Sequence, residues 1–287
     1  KIKTNLKNMK IIRSEKEMIN HCNQLKLRTS FIPTMGSLHE GHVKLLAEGK
    51  KYSNYLISSL FINPLQFNNP KDLVNYPKNY EEDISIFEKF GVDLLYIPNE
   101  KEILNSNIKK INSGRQGKIL EGKYRPGHFD GVLTIVNKFF EIIKPDYSFF
   151  GIKDFQQLCL IYTKLSSFHK TSVIPVETVR EDSGLACSSR NKLLNYEQRV
   201  LASRIYEGLK LFEDKIKEKP EIDPISFLKD FYLNFKNLDI EYILSEKISI
   251  FDEKEISVLD LFKNKNTIVM VAAKVGNVRL IDNLLIS

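Results

Sequence analysis

Between Arg28 and Val176, short apolar runs alternate with amphipathic stretches, and this alternation restricts the fold more than any other feature of the chain. Residues 28–33, Tyr55–Ile62, Val92–Ile97, Tyr147–Phe150 and Ser172–Val176 read as strands, while Gly41–Tyr52, Tyr80–Phe90, Phe129–Ile143 and Phe155–Phe168 carry apolar residues at helical spacing. Tyr55–Ile62 is apolar nearly throughout, as expected of a parallel strand covered on both faces. A repeated strand–helix order predicts an α/β domain on a mainly parallel sheet. Ligands of such sheets bind beyond the carboxyl ends of the strands, at a topological switch point. The segments starting at Pro33, Asn63, Gly151 and Val179 all follow apolar strands, so they are expected to converge on one sheet edge. Asn63–Lys78 reads as a long polar loop, and loops of that length in a compact domain are usually functional.

Beyond about residue 190 the texture changes. Tyr196–Lys217 and Ile225–Phe235 read as helices, separated by Pro220 and Pro224. Residues 239–245, 267–275 and 278–283 read as strands, the last two joined by a Val275-Gly276-Asn277 turn. This is a second, smaller α+β unit. No stretch approaches the ~18–20 unbroken apolar residues of a membrane helix, so no membrane association is expected. Lys1–Lys10 is basic but no apolar region follows it, unlike a secretory signal. Met9 is a candidate start, with residues 1–8 an extension.

Cys22, Cys159 and Cys187 form no CxxC pair, so neither a zinc site nor a disulfide framework is expected, and a reducing, cytoplasmic setting suits them. The formal net charge of +7 is a diffuse one: nine of the 43 basic residues are Arg and the rest Lys. The longest basic clusters are pairs such as Lys50-Lys51 and Lys109-Lys110, whereas nucleic-acid binders concentrate charge on one face or in a run. Acidic small molecules are at least as good an expectation.

Residues that carry chemistry gather in four loops. In Pro33-Thr-Met-Gly-Ser-Leu-His-Glu-Gly-His42, Gly36 and Gly41 let backbone approach a ligand. His39 and His42 straddle a helix start, where free N–H groups and the helix dipole favour an anion. Their i, i+3 spacing is wrong for an HExxH zinc site. Phe61-Ile-Asn-Pro-Leu-Gln-Phe67 offers Asn63 and Gln66, amides that donate and accept, for hydroxyl and carboxylate groups. The stretch from Glu121 to Gln157 places Arg125 and His128 around a Pro-Gly turn, then Lys153 and Asp154 at a strand end, with Gln156 and Gln157 in the helical turn after them. Arg suits a carboxylate or phosphate, and Lys a phosphate. In Val179–Arg190, Gly184 marks a mobile loop, and Ser188, Ser189 and Arg190 supply hydroxyls and a cation before a helix. Taken singly, each loop is also compatible with ordinary turns, caps and solvated charges. No GxxxxGK[ST], GxGxxG or GxSxG appears, so nucleotide chemistry would have to run through HxGH.

PTMGSLHEGH, FINPLQF, YRPGHFDGV, FFGIKDFQQL and GLACSSRN occur in this order, and together they resemble pantothenate synthetase (pantoate–β-alanine ligase), a family of the HxGH nucleotidyltransferases. The resemblance runs from about Met9 to the C-terminus. It implies a Rossmann-like parallel-sheet domain for ATP and pantoate over residues 9–182 and a smaller α+β C-terminal lid domain over 183–287. It also implies a homodimer and an ATP- and Mg²⁺-dependent ligation through pantoyl adenylate. By the resemblance, Met35, Gly36, Ser37, Leu38, His39, Glu40, Gly41 and His42 bind ATP, with His42 the general acid or charge stabiliser and His39 and Lys153 the other catalytic residues. Gly151, Ile152, Lys153 and Asp154 hold ATP with Lys153 on its phosphates. Val179 meets adenine, and Cys187, Ser188, Ser189 and Arg190 bind phosphates. Gln66 binds pantoate and approaches β-alanine, Gln157 binds pantoate, and Asn63, Arg125 and His128 support them. Glu82 and Asp83 fall where the family has an acidic patch and would be the Mg²⁺ contact. Two positions depart from the family: Ile152 replaces its usual Glu, and Cys187 its usual Met or Leu. Two other readings stay open, a related nucleotidyltransferase making a CDP- or ADP-linked product and a basic nucleic-acid-binding protein.

Overall fold

The computed structural model describes residues 9–105, 107–166, 168–253, 256–262 and 265–287, so the expected extension 1–8 lies outside the described residues. Two compact units are present. The first comprises the chain up to Phe150 with Gln156–Val176, and the second comprises Gly151–Phe155 with Glu177–Ser287.

In chain order the first unit carries β1 (Lys10–Ile12), α1 (Glu15–Gln24), β2 (Thr29–Thr34), α2 (Glu40–Tyr52), β3 (Tyr55–Leu60), α3 (Pro70–Val74), α4 (Tyr80–Lys89), β4 (Leu94–Tyr96), α5 (Glu100–Ile103), α6 (Glu121–Tyr124), α7 (His128–Ile143), β5 (Tyr147–Gly151), α8 (Phe155–Leu165) and β6 (Ser172–Val176). The strands form one sheet in the order β1-β4-β3-β2-β5-β6. The pairs β1–β4, β4–β3, β3–β2 and β2–β5 are all parallel. The chain therefore winds outward from β2 in two directions, and the switch point lies between β2 and β5. One face of the sheet packs Ile32, Leu56, Leu95 and Phe149 with Leu46 of α2 and Phe87 of α4. The other face meets α7, which is buried on almost every side and sets Phe139 edge-on to Phe31 at 5.7 Å. A helix this apolar all round is what a core position requires. A Cβ at Gly49 would lie 2.9 Å from both Ile32 Cδ1 and Leu56 Cδ1, so glycine allows α2 to sit directly on β2 and β3.

Some elements differ from the sequence expectation. β1 and α1 were not foreseen: β1 has three residues, and only Met18 of α1 is buried, so no apolar stripe marks the helix. The Asn63–Lys78 segment is less open than expected. It holds a 3₁₀ turn at Pro64–Gln66 and the short α3, each begun by an Asn cap with Pro next, which satisfies a free N–H and presets the first helical φ. α8 stops at Leu165 rather than at 168, and β4 is shorter than Val92–Ile97.

The second unit carries α9 (Tyr196–Glu218), α10 (Pro224–Tyr232), β7 (Leu238–Lys247), β8 (Thr267–Val275) and β9 (Val278–Ile286). Its strands form an antiparallel sheet in the order β7-β8-β9. α9 lays Ala202, Ile205, Leu209 and Phe212 against a core that includes Val269, Val271 and Ala273, a 3.6-residue period meeting a period of two. Gly276, at φ +59°, lies in the tight turn that brings Val275 opposite Val278.

Candidate active site

The loop leaving β2 at the switch point is built around a carboxylate. Gly36 and Ser37 both take left-handed backbone, φ +82° and +51°. Successive N–H groups so turned form a concave anion site. Asp83 of α4 fills it, its two oxygens each accepting at 2.8 Å from Ser37 N and Leu38 N. A Cβ on Gly36 would come within 2.6 Å of Leu60 Cδ1 and 2.7 Å of Asp83 Oδ2, so only glycine fits there. Ser37, Leu38 and Asp83 are all buried, while Met35 is half-buried.

The start of α2 is capped by its own histidines. His39 Nδ1 accepts from Gly41 N at 3.1 Å, and His39 N donates to His42 Nδ1 at 3.3 Å, a reciprocal capping box made from two imidazoles. The rings lie 4.1 Å apart, tilted by 52°. Because both Nδ1 atoms accept, the neutral rings carry their protons on Nε2, which is the donor nitrogen of each. Glu40, exposed at the first helical position, adds a favourable charge at the helix N-terminus.

The Asn63–Gln66 turn docks on the N-terminus of α7. Asn63 Nδ2 donates to Gly131 O at 3.0 Å and to Gln66 Oε1 at 3.0 Å. With its oxygen so held, Gln66 has its Nε2 donors to offer a ligand. His128 Nδ1 donates to Gln66 O at 2.8 Å, which puts the imidazole under the backbone of the same residue. The buried Glu121 lies 3.7 Å from Arg125 Nη1, just after Leu120 at φ +50°. Gln156 is fully buried, its Nε2 donating to Gln116 O and Ile119 O, and so pins the 111–124 segment, whereas Gln157 is half-buried. The first unit thus gathers His39 with His42, and Asn63, Gln66 and His128 with one another.

Glu82 and Asp83 make no cation cluster. Asp83 commits its carboxylate to the two amides, and Glu82 Oε2 accepts from Asn79 Nδ2 at 2.9 Å. No group of three or more His, Cys, Asp or Glu side chains able to hold a metal occurs among the described residues.

In the second unit, Gly151 leads into a 3₁₀ turn of Ile152, Lys153 and Asp154, with Lys153 Nζ 3.6 Å from Asp154 Oδ1. Ile152 is buried, so an apolar residue here occupies an apolar place where a carboxylate would be desolvated. Val179–Cys187 forms a hydrogen-bonded hairpin. Cys187 N donates to Val179 O, Glu181 N to Leu185 O, and Arg180 bridges Ala186, with Gly184 at φ +86° in the turn. Asn191 Nδ2 donates to Glu181 Oε1 and Ala186 O, and Arg199 Nη1 donates to both Glu181 oxygens at 3.0 Å. Ser188 caps the 3₁₀ turn of Ser189–Leu193 by accepting from Arg190 N. Glu181, Asn191 and Arg199 were missed in the sequence because each is a common polar residue on a surface-like pattern.

The pantoate-beta-alanine ligase family model matches residues 8–285. The chain belongs to the pantoate-beta-alanine ligase family. A pantothenate synthetase of Cytophaga hutchinsonii is 37% identical over 287 residues, covering 99% of this chain and 98% of that protein. A pantoate–β-alanine ligase of Schizosaccharomyces pombe is also 37% identical, covering 90% of each. The crystal structure of the Thermus thermophilus pantothenate synthetase superposes with a TM-score of 0.85 at 29% identity, over 96% of this chain and 99% of that one. The Francisella tularensis pantoate-beta-alanine ligase, solved with β-γ ATP and β-alanine, gives 0.77 at 35% identity over 96% and 97%. No helix among the described residues is long and apolar enough to cross a membrane.

Proposed function

We propose that the chain joins pantoate to β-alanine using ATP, by way of pantoyl adenylate. A pantoate carboxylate oxygen attacks the α-phosphorus, and pyrophosphate leaves with the bond it breaks. The β-alanine amine then attacks the acyl carbon, the amide forms as AMP departs, and the amine gives up its proton to solvent. The observation that carries this reading is the family match from residue 8 to residue 285. Attack of an anion on a polyanion is slowed by repulsion, and the remedy is positioning with preorganised donors.

In this reading His42, with His39, donates from Nε2 to phosphate oxygens as charge builds on them. The ligand-facing elements of the β2–α2 segment run from Met35 through Gly36, Ser37, Leu38, Glu40 and Gly41. The amides of Ser37 and Leu38 are given to Asp83, so the histidines rather than those amides serve the phosphate. Gln66, its oxygen held by Asn63, donates to pantoate, and Gln157 joins it. His128 and Arg125 act as supports, His128 by holding the Gln66 carbonyl. Lys153, within Gly151–Asp154, neutralises phosphate charge. Ser188, Ser189 and Arg190, after Cys187, do the same, and Val179 meets adenine. Mg²⁺ would enter on the phosphates of ATP, since Mg²⁺ is usually bound by substrate phosphates, water and one or two carboxylates. Asp83 does not fit as a ligand for it, and no step here is routed through it. A homodimer, a cytoplasmic location and a lid role for the smaller unit, which would shield the adenylate from water, belong to the same proposal.

The test is AMP release with ATP, Mg²⁺, pantoate and β-alanine, each omitted in turn. The full mixture should release AMP, and omission of pantoate should abolish pyrophosphate release. No AMP from the full mixture overturns the reading, and pyrophosphate release without pantoate favours another nucleotidyltransferase. His42→Ala should lower kcat by ~10² or more, and an unchanged rate removes His42 from this role.

A further inference from the structure

β9 carries a pair of polar side chains where an apolar strand is expected. In Val278–Ile286, Asp282 and Asn283 are 5% and 7% exposed, although successive strand residues point to opposite faces. A buried charge or amide is retained only with partners, and both side chains have them. Asp282 takes the fork of Arg180, 2.6 Å to Nη1 and 2.9 Å to Nη2, and also accepts from Asn283 N at 2.8 Å. Asn283 Nδ2 uses both hydrogens, donating to Ile152 O at 3.0 Å and Lys153 O at 2.9 Å.

We propose that Asp282 and Asn283 are positioning residues for the phosphate-binding elements of the second unit, Asn283 setting the Lys153 turn and Asp282 setting the hairpin that leads into Ser188–Arg190. The proposal rests on the reading of Lys153 and Ser188–Arg190 as phosphate ligands given above. The hairpin end of the device is closely packed. Arg180 stacks on the Tyr206 ring 3.5 Å from its centroid and donates to Gly184 O. A Cβ on Gly184 would approach Tyr206 Cδ1 to 2.8 Å. The hairpin is then tied to Ser189–Leu193 through Glu181, Asn191 and Arg199. Two adjacent residues, facing opposite sides of one strand, thereby fix the spacing between two segments that are distant in sequence. Buried ion pairs add little net stability over apolar residues of the same volume, so stability alone does not account for Asp282 and Arg180.

The experiment is a cycle on the full chain, with kcat and the separate KM values for ATP, pantoate and β-alanine as readouts and Tm as a check on folding. Asn283→Ala should lower kcat for pantoate-dependent pyrophosphate release by ~10- to 100-fold, the cost of misplacing a charge by about an ångström. KM for pantoate and β-alanine should stay within about twofold of wild type. In a Lys153→Ala background the same substitution should cost less than about twofold, because its effect passes through Lys153. Equal losses in both backgrounds, or no loss in either, overturn the proposal. If Lys153→Ala itself leaves the rate unchanged, the phosphate reading fails first, and that outcome is distinct. Asn283→Ser, which keeps one donor, should give an intermediate rate and serves if Asn283→Ala does not fold. Asp282→Asn should likewise lose its effect in an Arg190→Ala background, and additivity there removes Asp282 from the proposal.

Discussion

Replacing Gly131 by Ala tests how the Gln66 turn is held. A Cβ built at Gly131 lies 2.2 Å from Leu65 O, 2.4 Å from Leu65 C and 2.7 Å from Gln66 N, all backbone atoms with no rotamer to yield. Ordinary contact needs roughly 1 Å more, so the whole Asn63–Gln66 turn must move off α7. That movement stretches two bonds at once, Asn63 Nδ2 to Gly131 O and His128 Nδ1 to Gln66 O, now 3.0 and 2.8 Å. Each contributes about 1 kcal/mol net, and crowding adds ~1–3 kcal/mol. Exchanging glycine for alanine inside a helix returns ~1 kcal/mol. The balance is a loss of about 2–4 kcal/mol, or roughly 5–10 °C in Tm for a chain of this size. A 1 Å shift of a substrate-orienting group costs about 10² in rate, so kcat/KM for pantoate should fall ~10- to 100-fold while KM for ATP changes little. Calorimetry and pyrophosphate release at varied pantoate read both. A Gly131→Ala protein with wild-type Tm and wild-type kcat/KM for pantoate would show that the turn's seat on α7 does not place Gln66.

Asp83→Asn offers one acceptor where two amides need it and should cost about 1–3 kcal/mol, seen as a lower Tm; an unchanged melting curve removes Asp83 as the prop of the β2–α2 loop. Gly49→Ala must push Ile32 and Leu56 aside and should cost ~1–3 kcal/mol by urea denaturation, with a neutral result showing that α2 can lift off the sheet freely. Burial pushes the Cys22 thiol up to about 11, so at pH 8 it should react with a thiol reagent far more slowly than a model thiol, and fast labelling of Cys22 by mass spectrometry would contradict this. Burial holds the His169 imidazole below its usual range. The unfolded chain therefore takes up that proton more readily, so stability falls as pH drops from 7 to 5. His169→Gln should make this fall shallower, and identical pH profiles would exclude the contribution.

Much of the fold was legible because its signal is periodic. Ile32, Leu56 and Phe149 lie in apolar runs, and Ala202, Ile205, Leu209 and Phe212 repeat at helical spacing. β1 and α1 escaped notice since a three-residue strand is held by its neighbour β4 rather than by its own pattern. The Asn-Pro pairs at 63–64 and 69–70 did mark helical starts inside an apparent loop. At the site, the histidines and Gln66 stood out by residue type. Their supports did not, because Asp83 reaches back to Ser37 across 46 positions and Asn283 to Ile152 across 131. The one local clue to the latter pair was an Asp-Asn step in the middle of an apolar strand.

The carboxylate of Asp83 in the β2–α2 loop has an evolutionary consequence. Loops that cradle phosphates with backbone amides bind through atoms every sequence shares, so their affinity is hard to alter by point substitution. Here two of those amides, on Ser37 and Leu38, are already committed to a carboxylate within the chain. In the proposed reading, recognition at this edge rests more heavily on side chains such as His39 and His42. Those can be exchanged one codon at a time on a loop whose shape does not wait for its ligand, and affinity and rate become traits that drift and selection can adjust separately from the fold.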